Sequence, residues 1–498
     1  MNLSQKIDSA ATLKDMLQGS GVFDFCDIIA KEYGRNIPYK LVAEISALND
    51  LEPCRAGQIK TIGIFYYHMD IGGVQRVISR QIEIFKKLGY NVVVFTTDPP
   101  SEKDYCIGDT SRVVIDRLDP NSSVRENAEK FVNTMRQYDI DLFYSHAFGD
   151  VFHLLCFLLL TKFCLKIPCF VHYHNVFSYS LCRAAIPQFF VVTEILKMAD
   201  LVLSLSRVDC LYFQSEGVKS VYLPNPPTFD KIPDELEKVS DGKTVLFLAR
   251  IEPSQKRPCD AVAIIEKVAL QVPDVKLVIV GCGKEKDEAQ LLKRIEKSSA
   301  KDNICFKGHS SNVVEYLLSS DIFLCTSTRE GYPMTFAEAL CCGLPIVTYD
   351  MPYLEVTRGD SGISVVPQLD IESAADKIIY LLENPVEREK ASEKARLYGE
   401  KLFEFDHENV WSDIIMNYKS FSNESVCQIN DVGIMLNTLK FHLFLGDKER
   451  LKKKNKQLAD MQKSLTSLQK SFSFKIGRLI TSGPRKMREW VRLVRKVK

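Results

Sequence analysis

Short apolar runs alternate with amphipathic stretches along the chain from about residue 60. The apolar runs predict buried strands, and the longer stretches between them, with apolar residues three or four positions apart, predict helices. Regular alternation of the two is typical of a doubly wound parallel sheet. In the first half of the chain the pattern predicts strands at residues 60–67, 91–96, 112–115, 141–145, 169–174 and 200–206.

A proline-rich stretch, YLPNPP at residues 222–227, interrupts this alternation and is expected to link two domains. The alternation resumes at Lys243. We therefore expect an α/β fold with two Rossmann-like doubly wound parallel-sheet domains, whose strands point their carboxyl ends into a shared cleft. Further strands are predicted at 276–280, 303–306, 321–326 and 344–348.

The expected domain boundaries follow from these patterns. The first Rossmann-like domain covers residues 60–227 and the second covers 228–420. A helical extension is predicted at 1–59, and a helical basic tail at 421–498. At 498 residues the chain is too long for a single core, which agrees with this division.

One stretch of the second domain, TREGYPMTFAEALCCGLPIVTYD at residues 328–350, combines a polar loop with a short helix. Glu330 lies in the loop and has no partner that the sequence suggests. Thr335 and Glu338 have the spacing of a capping box, which predicts a helix start near Thr335 with Glu338 in its first turn. Gly343 is expected to end the helix. Both glutamates would then lie near free backbone amides, where an anionic ligand also binds.

Other candidate residues follow predicted strands. Gly72 and Gly73 join a strand to a helix, as in a phosphate-binding turn, although a plain tight turn has the same pattern. Arg250 and Lys256 follow the first strand of the second domain and suit a diphosphate. The alternative for these two residues is a pair of solvated surface cations.

Two histidines, His172 and His174, alternate with apolar residues at a predicted strand end. Such residues either contact a sugar in the cleft or are hydrogen-bonded core histidines. Asp139 and Asp141 have the D-x-D form of metal-dependent sugar transferases, but they lie at the opposite end of a strand, so a structural role is expected. The 15 cysteines show no metal-ligand spacing, and no metal or other cofactor is expected.

The charge is distributed unevenly. The formal net charge of the chain is +1, but residues 447–498 carry 17 Lys and Arg against 4 Asp and Glu. The tail also has apolar residues at near-helical spacing, which favours binding to an anionic membrane surface; a solvated helical tail is the alternative. No nucleic acid is expected. The first residues lack the apolar core of a signal peptide, so we expect a cytoplasmic protein, peripheral on the inner face of a membrane.

Several motifs together resemble the retaining glycosyltransferases of family 4, which have the two-Rossmann architecture called GT-B. They occur in the family's order between about residues 60 and 420. The chain departs from the family's common pattern at Ala249, where glycine is usual, and in the Arg250-to-Lys256 spacing, which is one residue longer. The matching pieces are IGGVQRV (71–77), VHYHN (171–175), ADLVLSLS (199–206), LPNP (223–226), ARIEPSQKRP (249–258), LVIVGCG (277–283), FKGH (306–309) and EGYPMTFAEALCCGLPIV (330–347).

The resemblance implies transfer of a sugar from a nucleotide-sugar, with a UDP-sugar as the expected donor and retention at the anomeric carbon. The acceptor would be a glycan, a lipid-linked molecule or a protein. A non-catalytic nucleotide-sugar-binding scaffold and a nucleotide-sugar epimerase of the same fold are the alternatives. The resemblance implies that Glu338 binds the ribose of the donor nucleotide. It assigns catalytic roles to Glu330, His174, Arg250 and Lys256, and donor binding to Gly72, Gly73, Arg250, Lys256, Glu330, Gly331, Tyr332, Met334, Thr335 and Glu338.

Overall fold

The protein is described here from a computed structural model. The chain divides into two compact units, residues 1–438 and 439–498. Nearly all of the predicted N-terminal extension and of the basic tail lies outside the described residues. The structure describes residues 58–70, 72–102, 104–116, 124–147, 151–183, 192–228, 240–310 and 312–420, together with residues 434, 459 and 463.

The first domain contains a seven-stranded sheet in the order β3-β2-β1-β4-β5-β6-β7, and all its strand pairs are parallel. The six strands predicted from apolar runs are confirmed. The last strand was not predicted, because three residues of mixed polarity give no periodicity. The strands are β1 Thr61–Phe65, β2 Asn91–Thr96, β3 Ser111–Val114, β4 Leu142–Ser145, β5 Cys169–Tyr173, β6 Leu201–Ser204 and β7 Ser220–Tyr222.

Helices connect these strands and cover the apolar side chains on both faces of the sheet. The helices are α1 Gly73–Lys87, α2 Val124–Gln137, α3 Val151–Leu159, α4 Phe177–Arg183 and α5 Arg207–Ser215. Helix α3 is buried from His153 to its end and continues into a π-helical segment, Leu160–Leu165, before β5. At the start of helix α5, the Ser206 hydroxyl caps the first turn by accepting a hydrogen bond from the Asp209 amide.

The second domain contains a six-stranded parallel sheet in the order β10-β9-β8-β11-β12-β13. Its predicted strands are confirmed, and the edge strand β13 was missed. Only one of the four residues of β13 is buried, so it lacks the apolar run that marks the others. The strands are β8 Thr244–Leu248, β9 Lys276–Val280, β10 Ile304–Gly308, β11 Ile322–Cys325, β12 Ile346–Tyr349 and β13 Ile363–Val366.

Seven further helices have defined bounds among the described residues of the second half of the chain, and the first six of them belong to the second domain. Short 3-10 turns lie at Lys301–Asn303 and Glu355–Thr357. The expected pair of Rossmann-like domains is therefore confirmed. The helices are α6 Pro258–Val268, α7 Glu285–Glu296, α8 Val313–Leu318, α9 Met334–Cys341, α10 Ile371–Glu383, α11 Pro385–Phe403 and α12 His407–Asn417.

Each sheet has one point where the strand order reverses. In the first sheet this switch point lies between β1 and β4, and in the second it lies between β8 and β11. Open parallel sheets bind ligands outside the carboxyl ends of their strands at such points. The loops that follow these four strands are therefore the places to look for a functional site.

Helix α12 packs on the first domain. Its residues Trp411, Ile414 and Ile415 are buried in the same apolar cluster as Phe85 and Tyr144 of the first domain. The predicted second domain, residues 228–420, included this helix, but its buried residues belong to the core of the first domain. The order of elements along the sequence does not show which core a helix joins.

The substitution Trp411→Ala is expected to destabilise the protein by about 3–5 kcal/mol, because it leaves a large cavity in the first-domain core. Trp411 is fully buried, with its ring centroid 4.8 Å from that of Phe85 and 5.4 Å from that of Tyr144. Thermal and urea unfolding would measure the loss. The control is Met416→Ala on the same helix, where the side chain is 69% exposed and a change below about 0.5 kcal/mol is expected. Equal effects of the two substitutions would contradict the packing of α12.

Candidate active site

The loop that follows β5 of the first domain meets the loop that follows β11 of the second. Direct contacts join the two sides. A Cβ atom added at Gly331 would lie 3.1 Å from the carbonyl oxygen of His174, so only glycine fits this close approach without displacing the neighbouring backbone. The guanidinium of Arg329 lies 3.9 Å from the ring centroid of Tyr179. The predicted cleft is therefore narrow at the point where Gly331 and His174 meet.

The first-domain side of the site begins with the two glycines before α1. Gly72 is the N-cap residue and has an extended backbone; a Cβ atom there would lie 2.2 Å from Oε1 of the buried Gln75. A Cβ atom at Gly73 would meet nothing within 4 Å. The N-terminus of α1 is therefore open beside Gly73, where free backbone amides can meet an anion.

Arg250 lies two residues beyond the end of β8. Gly281 has φ +142, and a Cβ atom there would lie 1.9 Å from the carbonyl oxygen of Ala249, so this glycine allows the two strand ends to approach closely. The side chain of Arg250 is exposed. Burial raises the pKa of the Tyr66 hydroxyl in the first domain, and the positive charge of Arg250 partly offsets that rise. Arg250 thus lies within electrostatic reach of Tyr66 in the first domain.

Lys256 and Glu330 form an ion pair, with 2.5 Å between Nζ and Oε1. Their side chains are only 15% and 10% exposed, respectively. The backbone amide of Glu330 donates a hydrogen bond to the Tyr353 hydroxyl at 3.0 Å, and the Thr326 hydroxyl donates to the carbonyl oxygen of Lys256 at 2.7 Å. This partner of Glu330 could not be predicted from the sequence, because the two residues of the pair are 74 positions apart.

The capping box predicted at Thr335 and Glu338 is wrong. Helix α9 begins at Met334, its N-cap residue is Pro333, and no side chain caps it. Proline fixes its own backbone and starts the helix one residue early, which makes Thr335 the second helical residue and Glu338 the fifth. Glu338 is therefore beyond the first turn, and its carboxylate is available for contacts with other elements.

The C-terminal end of α9 is as predicted. Gly343 follows the helix with φ +60, the left-handed conformation that ends many helices. Its carbonyl oxygen accepts a hydrogen bond from the Ser392 hydroxyl of α11 at 2.6 Å. A Cβ atom at Gly399 would lie 2.6 Å from the backbone of α9, so α11 crosses α9 at close range and fixes its position.

Glu338 connects three parts of the chain. Its side chain is 1% exposed, and Oε1 accepts hydrogen bonds from the Arg76 guanidinium of α1 and from the Thr228 hydroxyl, the latter at 2.7 Å. The second carboxylate oxygen, Oε2, is buried and has no hydrogen-bond partner among the described residues. Burial raises the pKa of Glu338, and the charge of Arg76 opposes that rise. The sequence did not single out Arg76, whose partner is 262 positions away.

Tyr332 lies between Gly331 and helix α9, and burial raises the pKa of its hydroxyl above the ordinary value.

Asp141 accepts hydrogen bonds from the backbone amides of Lys60 and Thr61 at 2.8 and 2.9 Å. Its carboxylate thus ties the start of β1 to the start of β4, away from the cleft. This agrees with the structural role expected for the D-x-D pair.

Three histidines, rather than two, converge at the ends of β4 and β5. Nδ1 of His146 lies 2.7 Å from Nε2 of His174, and the rings of His172 and His174 stack with centroids 4.0 Å apart. His146 and His172 are fully buried, whereas His174 has intermediate exposure. His172 has the role of a core histidine, with Nδ1 2.6 Å from the Tyr144 hydroxyl. His146 was not predicted, although it directly follows the neighbouring strand.

The ligand atoms of His146, His172 and His174 lie within 4.8 Å of one another, so these imidazoles are the group among the described residues that could hold a metal ion. Imidazole nitrogens suit transition metals. One of the three contacts is already a hydrogen bond between His146 and His174. The expectation that transfer needs no metal stays a prediction.

Burial lowers the pKa of all three imidazoles, to about 3 for His174, so they are neutral in the folded protein at neutral pH. In the unfolded chain the same groups protonate below about pH 6.5. The unfolded state then binds more protons, and stability is lost as the pH falls from about 6.5.

The difference in unfolding temperature between wild type and His172→Asn or His174→Asn is expected to decrease from pH 7.5 to pH 5.5, because only wild type loses the contribution of the replaced histidine as the pH falls. His309→Asn, at an exposed histidine, is the control; a gap that is independent of pH in the two test variants would contradict the assignment.

Family models match both domains. The glycosyltransferase family 4 model matches residues 71–226, and the "Glycosyl transferases group 1" model matches residues 228–398. Each matched region is therefore similar to glycosyltransferases, and the two-sheet architecture is that of the GT-B fold. The division between the two matched regions lies beside the proline-rich linker.

Individual relatives support the same family. The chain is 31% identical to a poly(glycerol-phosphate) alpha-glucosyltransferase of Bacillus subtilis over 37% of its own length and 28% of that protein. It spans 28%, 49% and 19% of the lengths of three curated relatives that it matches.

Solved structures share the fold at low identity. TarM superimposes with a TM-score of 0.59 and 14% identity, over 74% of this chain and 99% of TarM. Anabaena Alr3699/HepE in complex with UDP-glucose gives a TM-score of 0.57 and 16% identity, over 72% of this chain and 99% of that protein. In the part of the chain that the structure describes, no helix has both the length and the apolar character needed to span a bilayer.

Proposed function

We propose that this protein is a retaining glycosyltransferase that uses a nucleotide-sugar, with a UDP-sugar as the first candidate donor. The observation that carries the proposal is that Arg250 and the Lys256–Glu330 pair lie on the loops at the switch point of the second sheet, while Arg76 of α1 contacts Glu338 of the same domain. A UDP-glucose complex of a protein with the same fold agrees with this donor class.

The chemistry follows from the charges. Cleavage of the bond between the sugar and the diphosphate leaves negative charge on the leaving group. Arg250 and Lys256 would stabilise that charge by charge-assisted hydrogen bonds, together with the backbone amides near Gly73. Glu330 holds the Lys256 ammonium in place, so little reorganisation is needed when the charge develops. No metal is required in this scheme.

The sugar would lie between the loop of Glu330 to Thr335 and the end of β5. His174 is the first-domain side chain proposed to face it. Because burial keeps the pKa of His174 near 3, the imidazole is neutral and can donate or accept a hydrogen bond with a sugar hydroxyl. The close approach of Gly331 to the His174 backbone would exclude water from the reacting bond and limit donor hydrolysis.

The acceptor is proposed to be a glycan, a lipid-linked molecule or a protein. A screen of UDP-, GDP- and ADP-sugars with acceptor mixtures would identify the donor, and proton NMR of the product would establish whether the anomeric configuration is retained. Inverted product would contradict the retaining mechanism. Interconversion of the donor sugar without transfer would indicate an epimerase.

A second part of the proposal concerns residues 447–498, whose 17 basic and 4 acidic residues suit an anionic membrane surface. Sedimentation with liposomes that contain phosphatidylglycerol is expected to recover the full chain but not a 1–446 variant. Binding of the full chain should also weaken at high salt, because surface charges are screened. Equal recovery of the two proteins would contradict a role for the tail.

A further inference from the structure

We propose that Arg76 is a positioning residue that orients Glu338 towards the ribose of the nucleotide donor and so links the first domain to nucleotide recognition by the second. This inference rests on the proposed function, which places a nucleotide-sugar in the cleft. Arg76 is on α1 of the first domain, whereas Glu338 is on α9 of the second.

The two oxygens of the Glu338 carboxylate have different surroundings. Oε1 accepts hydrogen bonds from Arg76 and from Thr228. Oε2 has no partner among the described residues, although the whole side chain is buried. A buried carboxylate oxygen without a donor is unfavourable, and a ribose hydroxyl can supply the missing hydrogen bond. The contacts on Oε1 leave Oε2 as the acceptor for a ligand.

Arg76 is itself held in place. Its Nε donates a hydrogen bond to the Tyr105 hydroxyl at 3.2 Å, and its guanidinium lies 5.8 Å from the centroid of the same ring. It is also three residues beyond Gly73, in the first turn of α1. One helical turn thus provides both the open amides for phosphate and the cation that holds the ribose-binding carboxylate.

Without Arg76, the Glu338 carboxylate would lose its only described cationic partner. An unpaired buried carboxylate either rotates towards water or takes up a proton. Both changes remove an ordered acceptor for a ribose hydroxyl, whereas neither alters the cations that bind phosphate. The inference therefore predicts a loss that is specific to the ribose part of the ligand.

The test compares probes with and without ribose hydroxyls. Calorimetry would measure binding of UDP, of 2′,3′-dideoxy-UDP and of inorganic pyrophosphate to the full chain. Arg76→Met is expected to weaken UDP binding about tenfold or more, while pyrophosphate binding stays within about twofold of wild type. The variant should also bind UDP and the dideoxy analogue equally well, because the oriented acceptor is gone.

Three variants separate positioning from loss of fold. Arg76→Lys keeps the charge and should recover part of the affinity for UDP. Glu338→Gln should weaken UDP binding, and Arg76→Met should add no further loss in that background, since Arg76 acts through Glu338. Lys86 lies on the same helix as Arg76, and Lys86→Met removes its exposed ion pair with Asp109. This variant should leave binding unchanged.

Two results would overturn the inference: wild-type affinity for UDP in Arg76→Met, or an equal loss of UDP and pyrophosphate binding. A wild-type protein that binds none of these probes would overturn it as well. Failure of the proposed function is a separate result. If wild type binds UDP with the expected dependence on Arg76 but transfers sugar from no donor, the glycosyltransferase assignment fails and the positioning role stands.

Discussion

The Arg250→Met enzyme is expected to transfer sugar with a kcat/KM about 10²–10³-fold below wild type, and to unfold at the same temperature. The loss follows from the removal of a preorganised cation that stabilises the leaving diphosphate. The fold is expected to survive because the Arg250 side chain is exposed. Release of nucleoside diphosphate, measured with the preferred donor and acceptor, would give the rates.

Arg396→Met is the matched control for Arg250→Met. Arg396 is also exposed, but it lies on α11, where it pairs with Glu400 on the surface. It should retain full transfer. If Arg250→Met were as active as this control, the diphosphate would have to bind elsewhere in the cleft.

Lys256→Met is expected to lower both transfer and stability, and the double variant Lys256→Met/Glu330→Gln tests whether the stability loss comes from the unpaired Glu330 carboxylate. Transfer should fall by a similar factor of about 10²–10³, because a second cation at the diphosphate is lost. Stability should fall by about 1–3 kcal/mol, because the largely buried Glu330 carboxylate loses its partner. In the double variant Lys256→Met/Glu330→Gln, stability should largely recover while transfer stays low.

Thermal unfolding and steady-state rates of the same preparations would measure both effects of Lys256. Recovery of transfer together with stability in the double variant would mean that Lys256 acts through the fold alone. Full activity in Lys256→Met would contradict its assignment to the donor site.

The periodic part of the fold could be predicted from the sequence. The strands with continuous apolar runs, such as Thr61–Phe65 and Thr244–Leu248, are buried on both faces, and such burial leaves a strong pattern. The short strand Ser220–Tyr222 and the edge strand Ile363–Val366 are less buried, and their patterns were too weak to predict them. The terminal helix α12 could be predicted as a helix but not assigned to a core.

The candidate site could be predicted residue by residue but not pair by pair. Glu330 and Lys256 were both predicted, yet their ion pair depends on how two loops of one sheet fold together. Arg76 and Glu338 meet only because two domains face each other. The capping box failed for a local reason: Pro333 starts the helix earlier than Thr335 suggests.

The histidine cluster shows a further limit of the sequence. His172 and His174 are visible as an alternating pair in one strand, but His146 enters the group through the parallel pairing of β4 with β5. Strand order is a property of the whole sheet. Once the order is known, residues that follow neighbouring strands can be grouped, and His146 would then be found.

The central claim is that the cleft between the two domains binds a nucleotide-sugar and transfers its sugar. The most direct test is to incubate the full chain with each nucleotide-sugar and an acceptor mixture, and to quantify nucleoside diphosphate and glycosylated product together. We predict that one donor gives both in equal amounts with wild type, and that Arg250→Met gives almost none. Binding of a nucleotide-sugar by wild type, with no more release of nucleoside diphosphate than Arg250→Met under any acceptor, would contradict the claim.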